Sequence, residues 1–273
     1  MNLEVVLPDE SPDMPAATLG ALARTAERLG YHTAWLPDHI LPPEAYGPVF
    51  GGVYEPLVTI GFLAAVTERL RFGTSVLVAP LRNPFVLAKQ VATLARLSGD
   101  RVTLGLGVGW NRPEFEAVGA HYGRRGEITD HTLELLAHLF SGSAAPYRGP
   151  GFGYDRGVFE PVPAAVPIMI GGNSPAALRR AARWADSWQA VSLTPAEFAE
   201  RAAPLAAGAR PVVPTVRIGW PEGASADDVA DTARSYTAVG ARRVAVHFGP
   251  YERYDERMAA LARILVDHGA VSG

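Results

Sequence analysis

A closed (β/α)8 barrel, the TIM-barrel form of the α/β class, is the fold that this sequence predicts, and three observations predict it. Short apolar, β-branched runs alternate with helix-patterned segments eight times along the chain, and alternation of that kind builds a parallel sheet. The runs lack a strict polar–apolar period, as strands covered on both faces do. The length, 273 residues, matches one barrel of roughly 250 residues with insertions. We therefore expect a single domain over residues 1–273, with an inserted loop or hairpin at 141–165 after the fourth unit.

Taken in order, Leu3 to Leu7 is the first strand, and Pro15 to Leu29 is a helix stopped by Gly30. Thr33 to Leu36 is the second strand. A loop from Pro37 to Glu55, rich in Pro, Gly and aromatics, precedes a helix over Pro56–Val66, and loops of that length tend to be functional. Arg71 to Val78 is the third strand. Asn83 and Pro84 then form an N-cap and a proline at the first helical position, with Leu87, Val91 and Leu94 along one face and a stop near Ser98–Gly99. The fourth strand, Arg101 to Leu106, runs into Gly105, Gly107 and Gly109, which leave the backbone bare enough for a flat ligand to lie against it. Helices follow at Arg112–Val118 and Arg124–Phe140.

Ser141 to Ala165 has no helical period and reads as an insertion placed over the barrel. Alternation resumes with a strand at Val166–Ile170, a helix at Pro175–Trp184 and a strand at Ser187–Val191. Thr194 and Glu197 fit a capping box that opens the sixth helix. Strands at Val212–Ile218 and Arg243–Phe248, with helices at Ser225–Val239 and Arg253–Val266, complete the eight units.

Composition narrows the function. Hydrophobic residues make up 48% of the chain, enough for a large core; charged residues are 19% and the net charge is −3. Neither a nucleic acid partner nor a basic membrane-binding patch fits that balance. With no cysteine, disulfides, thiolate chemistry and Cys-ligated metals are excluded. The first residues lack the basic start and long apolar stretch of a secretory signal, and no window nears ~18 consecutive apolar residues. A cytoplasmic location is the expectation.

In a barrel, ligand groups come from the C-terminal ends of strands. Asp38 and His39 follow the second strand: a histidine there exchanges protons near neutral pH, and the adjacent carboxylate is placed to hold it. On pattern alone, a turn-capping Asp38 and a packed His39 is the competing reading. Thr74, Ser75 and Val76 close the third strand; Gly107, Val108, Gly109 and Trp110 follow the fourth, with Trp110 a candidate platform. Gly171, Gly172, Asn173 and Ser174 lie before Pro175, at a helix start whose free amides and dipole suit an anion. Because Pro175 has no N–H, Asn173, Ser174 and the residues after the proline supply the donors. His247 ends the eighth strand, and Arg124 and Arg125 either reach a ligand's tail or face solvent. His121, His131, His138 and His268 show no metal-ligand spacing, so no metal is expected.

Four segments together carry a resemblance: Thr74 to Pro84, Leu87 to Arg101, Gly105 to Trp110 and Glu114 to Gly119. In this combination the chain resembles the luciferase-like monooxygenase superfamily, and within it the branch of deazaflavin-dependent oxidoreductases, from Asp38 to about Trp188. The resemblance implies coenzyme F420 at the barrel mouth, its ring bordered by Asp38 and His39, with His39 in catalysis. It also implies a bulge with a non-prolyl cis peptide at Ser75–Val76 behind the ring, and a phosphate at the Gly171–Ser174 turn. Some relatives carry a glutamate where Trp110 stands and use it as an acid toward a sugar phosphate; the tryptophan here departs from that pattern. Hydride transfer to or from a small organic substrate is the implied reaction, with His39 moving the proton and Asp38 orienting it. The Pro37–Glu55 loop and the 141–165 insertion would wall the substrate, and two copies would pair through the helices beside strands two and three. An FMN-dependent monooxygenase using oxygen, and a non-catalytic flavin or deazaflavin carrier, are the alternatives.

Overall fold

A computed structural model describes residues 1–8, 14–41 and 54–267; most of the Pro37–Glu55 loop, and His268, lie outside them. The strands of the barrel are β1 (Asn2–Val6), β2 (Thr33–Leu36), β3 (Arg71–Thr74), β4 (Leu77–Val78) and β5 (Val102–Gly107), then β8 (Ile168–Gly171), β9 (Ser187–Val191), β10 (Val213–Gly219) and β11 (Arg243–His247). Strands β3 and β4 form one stave, broken at Ser75–Val76. The ring runs β1-β2-β3-β5-β8-β9-β10-β11 and closes by parallel pairing of β11 with β1. Eight parallel staves thus make the expected barrel.

The helices are α1 (Ala16–Arg28), α2 (Pro56–Ala65), α3 (Pro84–Ser98), α4 (Arg112–Ala117), α5 (Arg125–Phe140), α6 (Pro175–Trp184), α7 (Pro195–Ala206), α8 (Ala226–Ala238) and α9 (Tyr254–Asp267). Their ends are set by local chemistry. The Asn83 side chain accepts the Phe85 and Val86 amides at the start of α3, and Gly99 ends it in the left-handed region at φ 67°. Thr194 and Glu197 form the expected capping box of α7, and Ser225 with Asp228 forms a second at α8.

One core lies between barrel and helices, and a smaller one fills the barrel itself. The interior holds Val6, Trp35, Met169 and Ala245, with Val76 packed against them. The Trp35 indole donates to Glu4 Oε2 at 2.7 Å, which gives the buried ring its acceptor, while Glu4 Oε1 lies 3.5 Å from His32 Nδ1. Glycine at position 73 is what lets the indole in, because a Cβ there would sit 2.4 Å from the ring. Replacing so large a buried ring by Ala costs about 3–5 kcal/mol.

The insertion corrects an expectation. It is an antiparallel hairpin, β6 (Tyr147–Gly149) with β7 (Phe152–Tyr154), and it packs on α3 and α5 rather than over the barrel mouth. Phe85 of α3 meets Phe152 and Tyr154 at 6.0 and 5.9 Å, His138 of α5 meets Tyr147 at 5.2 Å, and the Lys89 ammonium donates to the Glu160 carbonyl. The aromatics that made the segment look like a ligand wall are used against these two helices.

Candidate active site

The break in the third stave starts the site. The Ser75–Val76 peptide bond is cis, as the resemblance implies. Val76 then projects between two strand ends: a Cβ at Gly107 would lie 2.4 Å from its side chain, and one at Gly171 would lie 2.5 Å from it. Gly107 was expected to leave bare backbone for a ligand, and Gly171 to belong to an anion-binding turn. Both make room for Val76, which becomes an apolar ledge on a cavity of about 590 Å3 at the strand C-termini.

Asp38, His39, Ser75, Val76, Gly107, Val108, Gly109, Trp110, Gly171 and Gly172 all line that cavity. Thr74 does not. It is buried, and its hydroxyl donates to the Gly105 carbonyl at 2.7 Å and accepts the Gly105 amide at 3.0 Å, tying β3 to β5. Asn173 also lines neither mouth cavity; its amide nitrogen donates to the Val191 carbonyl at 2.6 Å and braces the turn before α6 against the end of β9.

The partners of Asp38 and His39 differ from expectation. Asp38 is 4% exposed, and its carboxylate receives two Arg82 donors at 2.6 and 2.7 Å and the Val78 amide at 2.7 Å. Arg82 also reaches Glu55 at 3.0 Å. Both Asp38 oxygens are therefore committed to the stretch after the cis bond, and the carboxylate on the His39 Nδ1 belongs to Glu114, at 3.2 Å. A charged, bidentate arginine outcompetes a neighbouring imidazole for a buried carboxylate.

Glu114 sits in the first turn of α4, where the helix dipole favours an anion. It is 2% exposed, and its other oxygen accepts the Ile40 and Leu41 amides at 2.5 and 2.9 Å. The strand-two loop is thus pinned to α4 through one carboxylate, with the imidazole on its second oxygen. The Trp110 ring packs edge-on to His39, centroids 5.8 Å apart. Chemically this is a protonable group, held by a buried anion, at the rim of an apolar cavity.

A second cavity, about 330 Å3, adjoins the first and shares Gly107, Val108, Gly171 and Gly172 with it. Its far wall holds Ser174, Ala176, Ala177, Arg180 and Arg125. Ser174 caps α6 by accepting the Ala177 amide, and the first-turn amides of a helix have no partner within it. Arg180 is neutralised by Asp130 at 2.7 Å. Arg125 instead stacks on the Tyr122 ring, 4.0 Å from its centroid, with Nε buried and unpartnered. Of the two arginines left open by sequence, Arg125 lines the cavity, while exposed Arg124 pairs with Glu127 at 2.7 Å.

Sequence reasoning missed Glu114, Gln189 and Arg217, all of which line the larger cavity. Gln189 and Arg217 had a usable signal: each is a long polar side chain inside a strand read as buried. His247 is half-buried beside Arg217, and desolvation first and that cation second lower its pKa to about 4.

Comparison with known proteins gives the family and the fold. The family model described as luciferase-like monooxygenase matches residues 1–266. An uncharacterised protein of Mycobacterium tuberculosis is 36% identical over 181 residues, 61% of this chain and 62% of that one. An F420-dependent glucose-6-phosphate dehydrogenase of Nakamurella multipartita is 32% identical over 178 residues, 64% of this chain and 52% of that one. These matches span less than two thirds of the relatives' own lengths. Among solved structures, a Streptomyces bottropensis monooxygenase superposes with TM-score 0.83 at 18% identity, covering 98% of this chain and all of its own. An F420-dependent secondary alcohol dehydrogenase, solved with an F420–acetone adduct, superposes with TM-score 0.76 at 15% identity, covering 95% of this chain and 98% of its own.

Proposed function

Because the chain belongs to the luciferase-like monooxygenase family, we propose that it is an oxidoreductase that binds coenzyme F420 at the barrel mouth and transfers a hydride between that cofactor and a small organic substrate. One observation carries this reading: a roomy cavity with an apolar ledge and a protonable rim opens into a smaller one with a helix start and a cation. A planar ring with a phosphate-bearing tail has the same two-part shape. The buried Arg125 Nε and Gln189 Nε2, both without partners, are donors that such a ligand would satisfy. The relatives at 32% identity whose names include F420 dependence favour the deazaflavin over FMN.

Bound there in its reduced state, the cofactor supplies a hydride at C5. The chain's own residues do the rest. Val76 supports one face of the ring; the Ala176 amide, which Pro175 and the Ser174 cap leave available in the first turn of α6, and the Arg125 guanidinium hold phosphate. Trp110, Pro37 and His39 border the substrate. As an electrophilic C=C or C=N carbon gains the hydride, the His39 imidazolium gives a proton to the atom at the other end of that bond, and it takes one back in the reverse direction. Glu114 on Nδ1 holds the imidazole in place for that exchange.

Fluorescence titration with oxidised F420 and with FMN tests the reading. Saturable F420 binding in the micromolar range or tighter, and slow substrate turnover with binding retained in His39→Ala, are the expected results. Tight FMN binding with no F420 affinity would replace the deazaflavin by a flavin monooxygenase. Binding with no turnover of any acceptor would make the protein a carrier.

A further inference from the structure

The larger cavity contains donors that the His39–Glu114 pair and the phosphate cavity leave unused. Gln189 from β9 and Arg217 from β10 both line it, and both reach Ser75 across the barrel. Gln189 is 4% exposed; its Oε1 accepts the Ser75 hydroxyl at 2.5 Å, while its Nε2 is buried without an acceptor. Arg217 donates from Nη1 to the Ser75 carbonyl at 3.1 Å and forms no ion pair among the described residues. Its titratable neighbour on β11, His247, with a pKa lowered to about 4, is uncharged at pH 7. A buried amide donor and a cation without an ion pair among the described residues therefore adjoin the cis peptide, in a cavity whose lining carboxylates, Asp38 and Glu114, are already paired with Arg82 and His39.

Such an arrangement is costly unless a ligand brings acceptors to it. Building on the F420 reading, we propose that Gln189 and Arg217 receive the pyrimidinedione edge of the ring and that Arg217 makes the site favour the reduced cofactor over the oxidised one. Of a deazaflavin's two long ends, the imide end presents two carbonyl acceptors, enough for both an amide and a guanidinium, while the other end presents a single hydroxyl oxygen. Two-electron reduction raises electron density at its N1 and C2 oxygen, so a nearby guanidinium in a low-dielectric cavity binds the reduced form more strongly. Deazaflavin and flavin share this edge, so the assignment holds for either.

The test is a set of anaerobic titrations with oxidised and reduced F420, and in a parallel arm FMN, on wild type, Arg217→Gln, Arg217→Lys and Gln189→Leu. Gln at 217 keeps a donor for the Ser75 carbonyl while removing the charge; Lys keeps the charge. Arg217→Gln is expected to weaken the reduced form about 10-fold more than the oxidised form, in line with loss of a charge-assisted hydrogen bond. Arg217→Lys should hold the wild-type ratio within about 3-fold, and Gln189→Leu should weaken both forms alike. Equal losses for both redox states in Arg217→Gln, or no loss, overturn the inference while leaving the cofactor reading intact. A wild type that binds neither F420 nor FMN brings down both.

Discussion

Asp38 and His39 are adjacent in the chain and serve different structures: one locks Arg82 and the stretch after the cis bond, the other meets Glu114 at the cavity rim. Glu114→Gln should therefore lower kcat about 10- to 100-fold, within the range that positioned acid–base groups contribute. F420 affinity should stay unchanged. An unchanged kcat would reduce Glu114 to a loop anchor. His247 carries a separate pH signature. Its pKa is about 4 in the folded chain against 6.5 for an unperturbed imidazole, so between those limits the unfolded chain binds the extra proton. Stability is then complete above pH 6.5 and falls as pH drops toward 4, by at most about 3 kcal/mol. His247→Asn, whose side-chain oxygen can still accept the Gly249 amide that His247 Nδ1 now accepts at 3.3 Å, should flatten that part of a urea-unfolding profile. At this scale the sequence disclosed residue types but not their partners. The motif after strand two pointed to His39, yet the competition between Arg82 and His39 for Asp38, and the return of Glu114 from α4 across 75 residues, depend on where the chain folds back.

Elements were more legible. Caps and prolines placed α3, α6 and α7 at their observed starts because those signals act within four residues. The hairpin β6–β7 was legible as an insertion but not in its location: its aromatics suit a ligand wall and a helix face equally, and only the exposed apolar surface of α3 and α5 decides between them. The opening of α6 and the start of α5 together make the proposed phosphate cavity. Arg125→Ala should weaken F420 about 10-fold, the worth of one charge-assisted contact, and should flatten the salt dependence of binding. A loss that leaves that salt dependence unchanged would mean that Arg125 acts through its Tyr122 stack and not on phosphate.

For the whole molecule, eightfold alternation and chain length sufficed to read the barrel, since closure follows from the repeat and needs no particular side chain. The ledge formed by Val76 between Gly107 and Gly171 was not readable, because glycines that admit a ligand and glycines that admit a valine look the same in one dimension. The outer faces of α2 and α3 carry exposed Val58 and Leu97, at 71% and 75%, beside Phe62 and Val86. An apolar surface spread over two packed helices fits the expected pairing of two copies. Light scattering should give twice the 29.1 kDa chain mass, and Val58→Glu with Leu97→Glu should give the single mass; a wild type that runs as one chain at micromolar concentration refutes the pairing. The shape of the barrel mouth is tested most directly by a crystal structure grown with saturating oxidised F420. The ring should rest on Val76 with one edge toward His39 and its phosphate between Arg125 and the start of α6. A ring bound elsewhere, or a mouth without ring density at that concentration, would contradict the account.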